Sequence, residues 1–305
     1  MRLCMPIVVF LLLGCATQRL EKEQAEWLRA FGSQAPPGTI ALNDSLYYDR
    51  TEITNLSWLE YEYWVMITFG TGSPEHVAVL PDTSGWDRFP VYGEPYRSSY
   101  LRHPAYRDYP VVGVSWEQVI AYSKWRSDRV MEYGLFRAGI IPFLKHQTAK
   151  DYFCIERFYA TDSLKAFHHL SYPSYDLPEL SEWRLAVAVS DSLAKTNLRR
   201  CRQRRWHDNP GGAKDDHFII SSRENSAGQV DPIAQAKALY CERGLIWQIR
   251  GNVAELCEDS TLVLGGGWID PLDSILLDQP FPNRAPNVAT GFRNVCQWRK
   301  WDGAR

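Results

Sequence analysis

The chain has 305 residues, enough for one large domain or two small ones with a real core. Hydrophobic residues make up 45% and charged residues 23%, the balance of a globular chain and not of a disordered one. With 34 basic against 36 acidic residues the net charge is -2, which leaves no basic field for a nucleic acid backbone.

Arg2 followed by the apolar run Ile7 to Leu13 reads as an export signal, too short for the roughly 20 apolar residues that span a bilayer. The run ends in Leu12-Leu13-Gly14-Cys15, which resembles a lipobox. That predicts a leader over residues 1–14 and an acylated Cys15 as membrane anchor. The alternative is an ordinary secretory leader with a chance Cys. Ala16 rather than Asp follows the Cys, and the sorting rules this resembles place the protein at the outer membrane, on its periplasmic face. Residues 15–37 then read as a lipid-anchored tether or helix, and residues 38–305 as the folded domain.

A helix is expected from Thr54-Asn55, with Leu56, Leu59 and Tyr63 on one face. Thr71 to Glu94 is rich in Gly, Pro and Asp and reads as loop. Tyr109 to Val114 is a short apolar run opened by a proline, hence strand or extended. Ser115 can then cap a helix, with Gln118 closing a capping box and Trp116, Val119, Ile120, Tyr122 and Trp125 at near-helical spacing. About 130–176 reads as an insertion with one or two helices of its own. Another helix follows Leu177-Pro178, with Trp183, Leu185, Ala186 and Val189 periodic. Residues 207–231 read as an exposed excursion. Asp270 to Ala289, with Pro271, Pro280, Pro282 and Pro286, should be irregular backbone pinned by its surroundings.

Seven Cys are present; without Cys4 and Cys15, an odd set of Cys154, Cys201, Cys241, Cys257 and Cys296 remains, with no zinc-like spacing. His103, His146 and His207 are isolated, and His168-His169, being adjacent, do not face one site. The 12 Trp and 16 Tyr read as core filler, with an aromatic-lined binding groove as the sharper alternative.

Four segments carry a family resemblance: Thr51-Glu52-Ile53-Thr54-Asn55; Tyr109-Pro110-Val111-Val112-Gly113-Val114-Ser115-Trp116 with Ala121-Tyr122 and Trp125; Gly244-Leu245 with Gly251-Asn252-Val253-Ala254-Glu255; and Leu264-Gly265-Gly266-Gly267-Trp268 with Gly291-Phe292-Arg293. In this order over residues 38–300 they resemble the formylglycine-generating, sulfatase-modifying family. The resemblance implies an α+β fold related to C-type lectins, with a large irregular fraction. Leu80-Pro81-Asp82-Thr83, and Arg102-His103-Pro104-Ala105-Tyr106 just before Tyr109, are similar to the gliding-motility lipoproteins of the Bacteroidetes, which associate with the type IX secretion apparatus.

The departures bear on chemistry. The family's oxidase holds copper on two thiolates, soft ligands that select Cu(I). By the resemblance those two positions are Asp270 and Ile275 here, so no copper and no catalytic residue is expected. Gly267 stands where relatives have Ser. The helix start that relatives write with an Arg and a Thr cap carries Asp176 and Glu179. The family also wraps calcium with the Gly251–Glu255 turn, which implies a set of Gln248, the carbonyls of Gly251 and Val253, and the Glu255 carboxylate. The alternative is a structural turn with Glu255 bonded inside. Asp270 and Asp273 read as turn residues, with an acid/base pair as the alternative.

The function expected from this reading is a non-catalytic envelope lipoprotein that binds other envelope proteins as a scaffold, with the lipid anchor on the membrane and no nucleic acid partner. The insertion would be its partner-specific surface. The alternative is an enzyme with copper-independent chemistry on a peptide or glycan, using groups around Asp270, Arg284 and Arg293.

Overall fold

A computed structural model describes residues 21–22, 24–88, 93–201 (side chains to 192) and 246–303. The leader, Cys15, His207, the stretch 207–231, Gly244-Leu245, Cys241 and the Cys201 side chain lie outside the described residues. The elements in chain order are helix α1 (24–30), β1 (Thr39–Ala41), β2 (Tyr47–Asp49), α2 (Asn55–Phe69), α3 (Pro74–Ala78), α4 (Gly93–Ser99) and α5 (Trp116–Arg137). Then come α6 (Ile155–Ala160), β3 (Tyr172–Asp176), α7 (Leu180–Cys201), β4 (Ala254–Leu256), β5 (Leu262–Leu264), α8 (Leu272–Ile275), β6 (Phe281–Pro282), β7 (Thr290–Phe292) and β8 (Val295–Arg299). Two four-stranded sheets form, in the orders β1-β2-β8-β3 and β6-β5-β4-β7. In the second, β4 runs parallel to β7, with Glu255 opposite Gly291, and antiparallel to β5, with Glu255 opposite Leu264. The fold is α+β, with long irregular connections.

The chain forms two compact units. The first holds residues 1–34, 126–174 and 298–305; the second holds 35–125 and 175–297. The stretch read as an insertion therefore shares a unit with the stretch read as a tether and with the C-terminal residues. Its core is Met131, Leu135, Phe153, Ile155, Phe158, Tyr159, Leu170 and Tyr172, with Leu28 and Phe31 of the supposed tether packed against it. Trp301 stacks on Tyr159 at 4.8 Å, and Trp298 donates its indole N–H to the Gln34 carbonyl.

In the second unit the caps are the ones their sequences call for. The Thr54 hydroxyl accepts from Ser57 N–H at the start of α2. At α5 the Ser115 hydroxyl accepts from Gln118 N–H, and Gln118 Oε1 accepts from Ser115 N–H at 2.8 Å, closing the expected box. At α7 the weak cap Glu179 has its N–H bonded by the Glu182 carboxylate, half of such a box.

The face expected of α2 is the wrong one. It buries Trp58, Tyr61, Glu62, Val65 and Thr68, while Leu56 and Tyr63 are exposed. Apolar residues occur on every side of the helix, so periodicity alone did not select a face. On α7, Trp183 and Ala186 are buried but Leu185 is exposed. Thr71–Glu94 contains α3, a 3-10 turn over Ser84–Arg88 and the start of α4. Tyr109–Val114 forms no regular strand: Pro110 makes an isolated bridge to Thr54, and the backbone bends at Gly113 with φ +74°. The aromatic content goes into packing: Trp58, Trp86, Trp183 and Trp268 are fully buried, and Trp58 stacks on Tyr122 and Trp86 on Trp268.

Candidate functional site

The four motif segments converge in the second unit. Ile53 N–H donates to the Phe292 carbonyl, Val111 N–H to the Ile53 carbonyl, and Asn55 N–H to the Tyr109 carbonyl. Ala254 N–H donates to the Ala289 carbonyl, and Trp268 N–H to the Asn252 carbonyl. The extended Thr51–Thr54 segment is thus held between the second motif and β7, while the turn before β4 holds the glycine-rich strand end.

These contacts bring together the motif side chains of Glu52, Asn55, Asn252, Glu255 and Arg293, all out of water. Arg293 and Glu255 are both fully buried, and the guanidinium Nε donates to the carboxylate at 2.6 Å. Its other nitrogens donate to the carbonyls of Asp49, Trp247 and Gln248. The Tyr48 hydroxyl reaches the second Glu255 oxygen at 3.4 Å. Beside this pair both oxygens of the buried Glu52 carboxylate accept from Asn252 Nδ2, at 3.0 and 3.1 Å. Asn55 donates to the carbonyls of Tyr100 and Tyr106. Asn294 donates to the Ser123 hydroxyl and the Asp176 carbonyl, and its backbone N–H to Asp49. A buried group so bonded escapes the desolvation cost of an unmade bond.

The electrostatics follow from burial. Burial pushes the Glu255 carboxyl up to about 7, with Arg293 pulling against it. Burial raises Glu52 well above the usual carboxylate range, with Arg293 and Asn252 opposing. Burial works against the Arg293 charge, and Glu255, Tyr48 and Glu52 override it, so the guanidinium stays above its ordinary value.

Gln248, Gly251, Val253 and Glu255 lie on the stretch that enters β4. Gln248 has φ +51°, a left-handed conformation that Asn or Asp adopts more readily than Gln. Its buried Oε1 has no hydrogen-bond partner, the kind of neutral oxygen a calcium ion would take. The carboxylate of the same set is committed to Arg293, as is the Gln248 carbonyl. A dication at Glu255 would stand beside a fully buried guanidinium, so the set does not fit calcium as it stands.

The two positions expected to match the family's copper ligands have structural uses. Asp270 accepts the Gly267 N–H at 2.7 Å and returns its own N–H to the Gly267 carbonyl, locking a tight turn. Ile275 is buried on α8, against Gly266, where an added Cβ would lie 2.7 Å from its Cγ1. At Gly267 the Ser of relatives would place Cβ 2.8 Å from the Ala289 carbonyl oxygen. Asp273 is exposed, and Asp270 is spent on its turn. Of the groups an alternative enzyme would need, Arg284 is exposed while Arg293 is sealed inside its ion pair.

Sequence reading missed the clamp on this segment. Arg250 holds Asp191 of α7 through Nη1 and Nη2 and Asp278 through Nε and the same Nη2, at 2.6 to 3.2 Å. The Asp278 and Asp191 bonds hold the guanidinium above its ordinary value. Its signal was weak: an Arg just before the Gly251 turn and an Asp after α8. It also missed Glu52–Asn252, although both residues stand in quoted motifs. His103 caps the turn at Pro104, and His168 and His169 bond the carbonyls of Phe158 and Ala166. Cys154, Cys257 and Cys296 are buried. Among the described residues no three His, Cys, Asp or Glu side chains group as a metal site.

Comparison with known proteins places this framework. Among solved structures the chain is similar to one titled "Crystal Structure of CarF", at 15% identity over 83% of this chain and 87% of that one, TM-score 0.40. It is similar also to Treponema denticola variable protein 1, at 16% identity over 83% of this chain and 84% of that one, TM-score 0.36. No curated protein matches it. The model of the sulfatase-modifying factor enzyme 1-like domain matches residues 4–296, nearly the whole chain, and the protein belongs to that family.

Proposed function

We propose that the protein is a non-catalytic lipoprotein of the cell envelope, anchored through Cys15 at the periplasmic face of the outer membrane. Its role is to bind other envelope proteins in a gliding-motility or type IX secretion-type assembly. The observation that carries the non-catalytic part is the use made of the old copper positions. Asp270 closes a turn and Ile275 fills the core, so neither side chain offers a ligand to a soft metal. The motif residues retained, Glu52, Asn252, Glu255 and Arg293, are bonded to one another out of solvent, which supports a framework kept for its surface. The lipobox and the segments around Leu80 and Arg102 support the location and the process.

The test combines envelope fractionation, labelled-palmitate incorporation at Cys15, and cross-linking isolation from the native envelope. Label lost in Cys15→Ser and a defined set of co-isolated envelope proteins are expected. Copper-dependent conversion of a peptide cysteine to formylglycine by the purified chain would overturn the reading.

A further inference from the structure

In the first unit one face of α5 leaves aromatic side chains in solvent. Tyr133 and Phe136 are half exposed, and Phe143 just beyond the helix is 70% exposed. Positions 133, 136 and 137 share a helix face by their spacing. The contacts join them into one patch. Phe136 meets Phe143 at 5.6 Å, Trp27 of α1 meets Tyr133 edge-on at 6.1 Å, and the Arg137 guanidinium lies over the Trp27 ring at 4.9 Å. Arg137 and Lys145 are exposed at its margin. Soluble surfaces seldom leave large aromatics grouped in this way without a partner.

The chain itself says which partner. Trp27 belongs to the described helix nearest in sequence to Cys15, and Gln24 lies nine positions after Cys15. Even fully extended, those residues reach at most about 30 Å. An acyl anchor at Cys15 therefore keeps the start of α1 within about 30 Å of the bilayer surface, close enough for the patch to touch it. Trp and Tyr suit that interface because one end of each ring system is apolar and the other polar. Arg and Lys at the rim place their charges among headgroups while their stems lie along apolar surface.

We propose that the Trp27–Tyr133–Phe136–Phe143 patch is a lipid-contacting surface that seats the first unit on the membrane to which Cys15 tethers it. The proposal rests on the anchor reading, and its test separates the two. The full mature chain carrying Cys15→Ser, which cannot be acylated, is floated with phosphatidylethanolamine–phosphatidylglycerol vesicles. Weak but measurable flotation is expected. Phe143→Ser should lower the partition about tenfold, from the apolar surface lost to the bilayer, and Lys145→Glu several-fold. Tyr63→Ser, an equally exposed aromatic of the other unit, should leave it unchanged. Phe143 is too exposed for its loss to unfold the chain, and an unchanged melting curve checks this. No flotation, or equal loss in Tyr63→Ser, overturns the patch. A Phe143-dependent dimer in sedimentation equilibrium without flotation also overturns it, in favour of a second copy of the chain. Absence of palmitate at Cys15 in the wild-type chain would instead sink the anchor, a result the vesicle assay does not share.

Discussion

At the scale of single residues the buried Arg293–Glu255 pair decides most. Removing one partner strands the other charge out of water, which costs roughly 3–5 kcal/mol. Arg293→Met should therefore destabilise by about that amount, and Arg293→Lys by about 2 kcal/mol or more, because Lys lacks the fork that reaches Glu255 and three carbonyls at once. Urea unfolding measures both. The carboxyls predict a pH dependence as well. Glu255 and Glu52 have folded pKa values raised above the unfolded 4.5, so the native state binds protons that the unfolded state has released. Their contribution is fully present below about 4.5 and is lost as pH rises, for Glu255 through about 7. Glu52→Gln keeps a side chain much like the protonated acid. It should flatten that decline, read as a smaller loss of urea midpoint between about pH 5 and about pH 8. A decline as steep as that of the wild type would refute the assignment. The polar residues of these motifs were legible as a group in the sequence, but their partners were not. Nothing local tells Glu52 that its donor is Asn252, two hundred positions away.

At the scale of elements, caps and turns were the most legible features because their signals are local. The Ser115–Gln118 box was readable from four consecutive residues. The structure adds that the Gln118 amide also donates to the carbonyls of Ala78 and Leu80, just after α3. Ser115→Ala should cost about 1 kcal/mol as a lost cap. Gln118→Ala should cost more, about 2 kcal/mol, since it leaves Ser115 N–H and two carbonyls without their bonds. Equal costs in thermal unfolding would mean that the link to α3 carries nothing. The face of α2 was illegible for the opposite reason: apolar residues occur all round it and one of its two glutamates, Glu62, is buried, so no side is preferred until the neighbours are known. The segment from Asp270 to Asp278 reads as irregular, yet it holds the short helix α8, and neither that helix nor what pins it was legible. Ile275→Ala should cost about 2–4 kcal/mol, as a cavity against Gly266. Denaturant unfolding with no loss at this position would remove the claim that Ile275 is a core residue.

At the scale of the whole chain the family framework could be read from four motifs, and the division into two units could not. The charged stretch after Cys15 reads as solvated. Yet Trp27 and Phe31 lie four residues apart on it, the one apolar spacing that points to a packed helix. Their partners come from α5 and from the last residues of the chain, and such distant pairings leave no periodic mark. The first unit thus draws on both ends of the polypeptide as well as on its middle. This has a consequence for biogenesis. On the proposed export route the N-terminal side emerges first, so Phe31 and Gln34 meet Trp298, and Tyr159 meets Trp301, only once those late residues have crossed. Until then Phe31 and Tyr159 lack their final neighbours, and the unit is open to the chaperones that receive exported chains. A nascent chain arrested before Trp298 should leave this unit susceptible to proteases, while residues 35–125 and 175–297 already contain their own completed core.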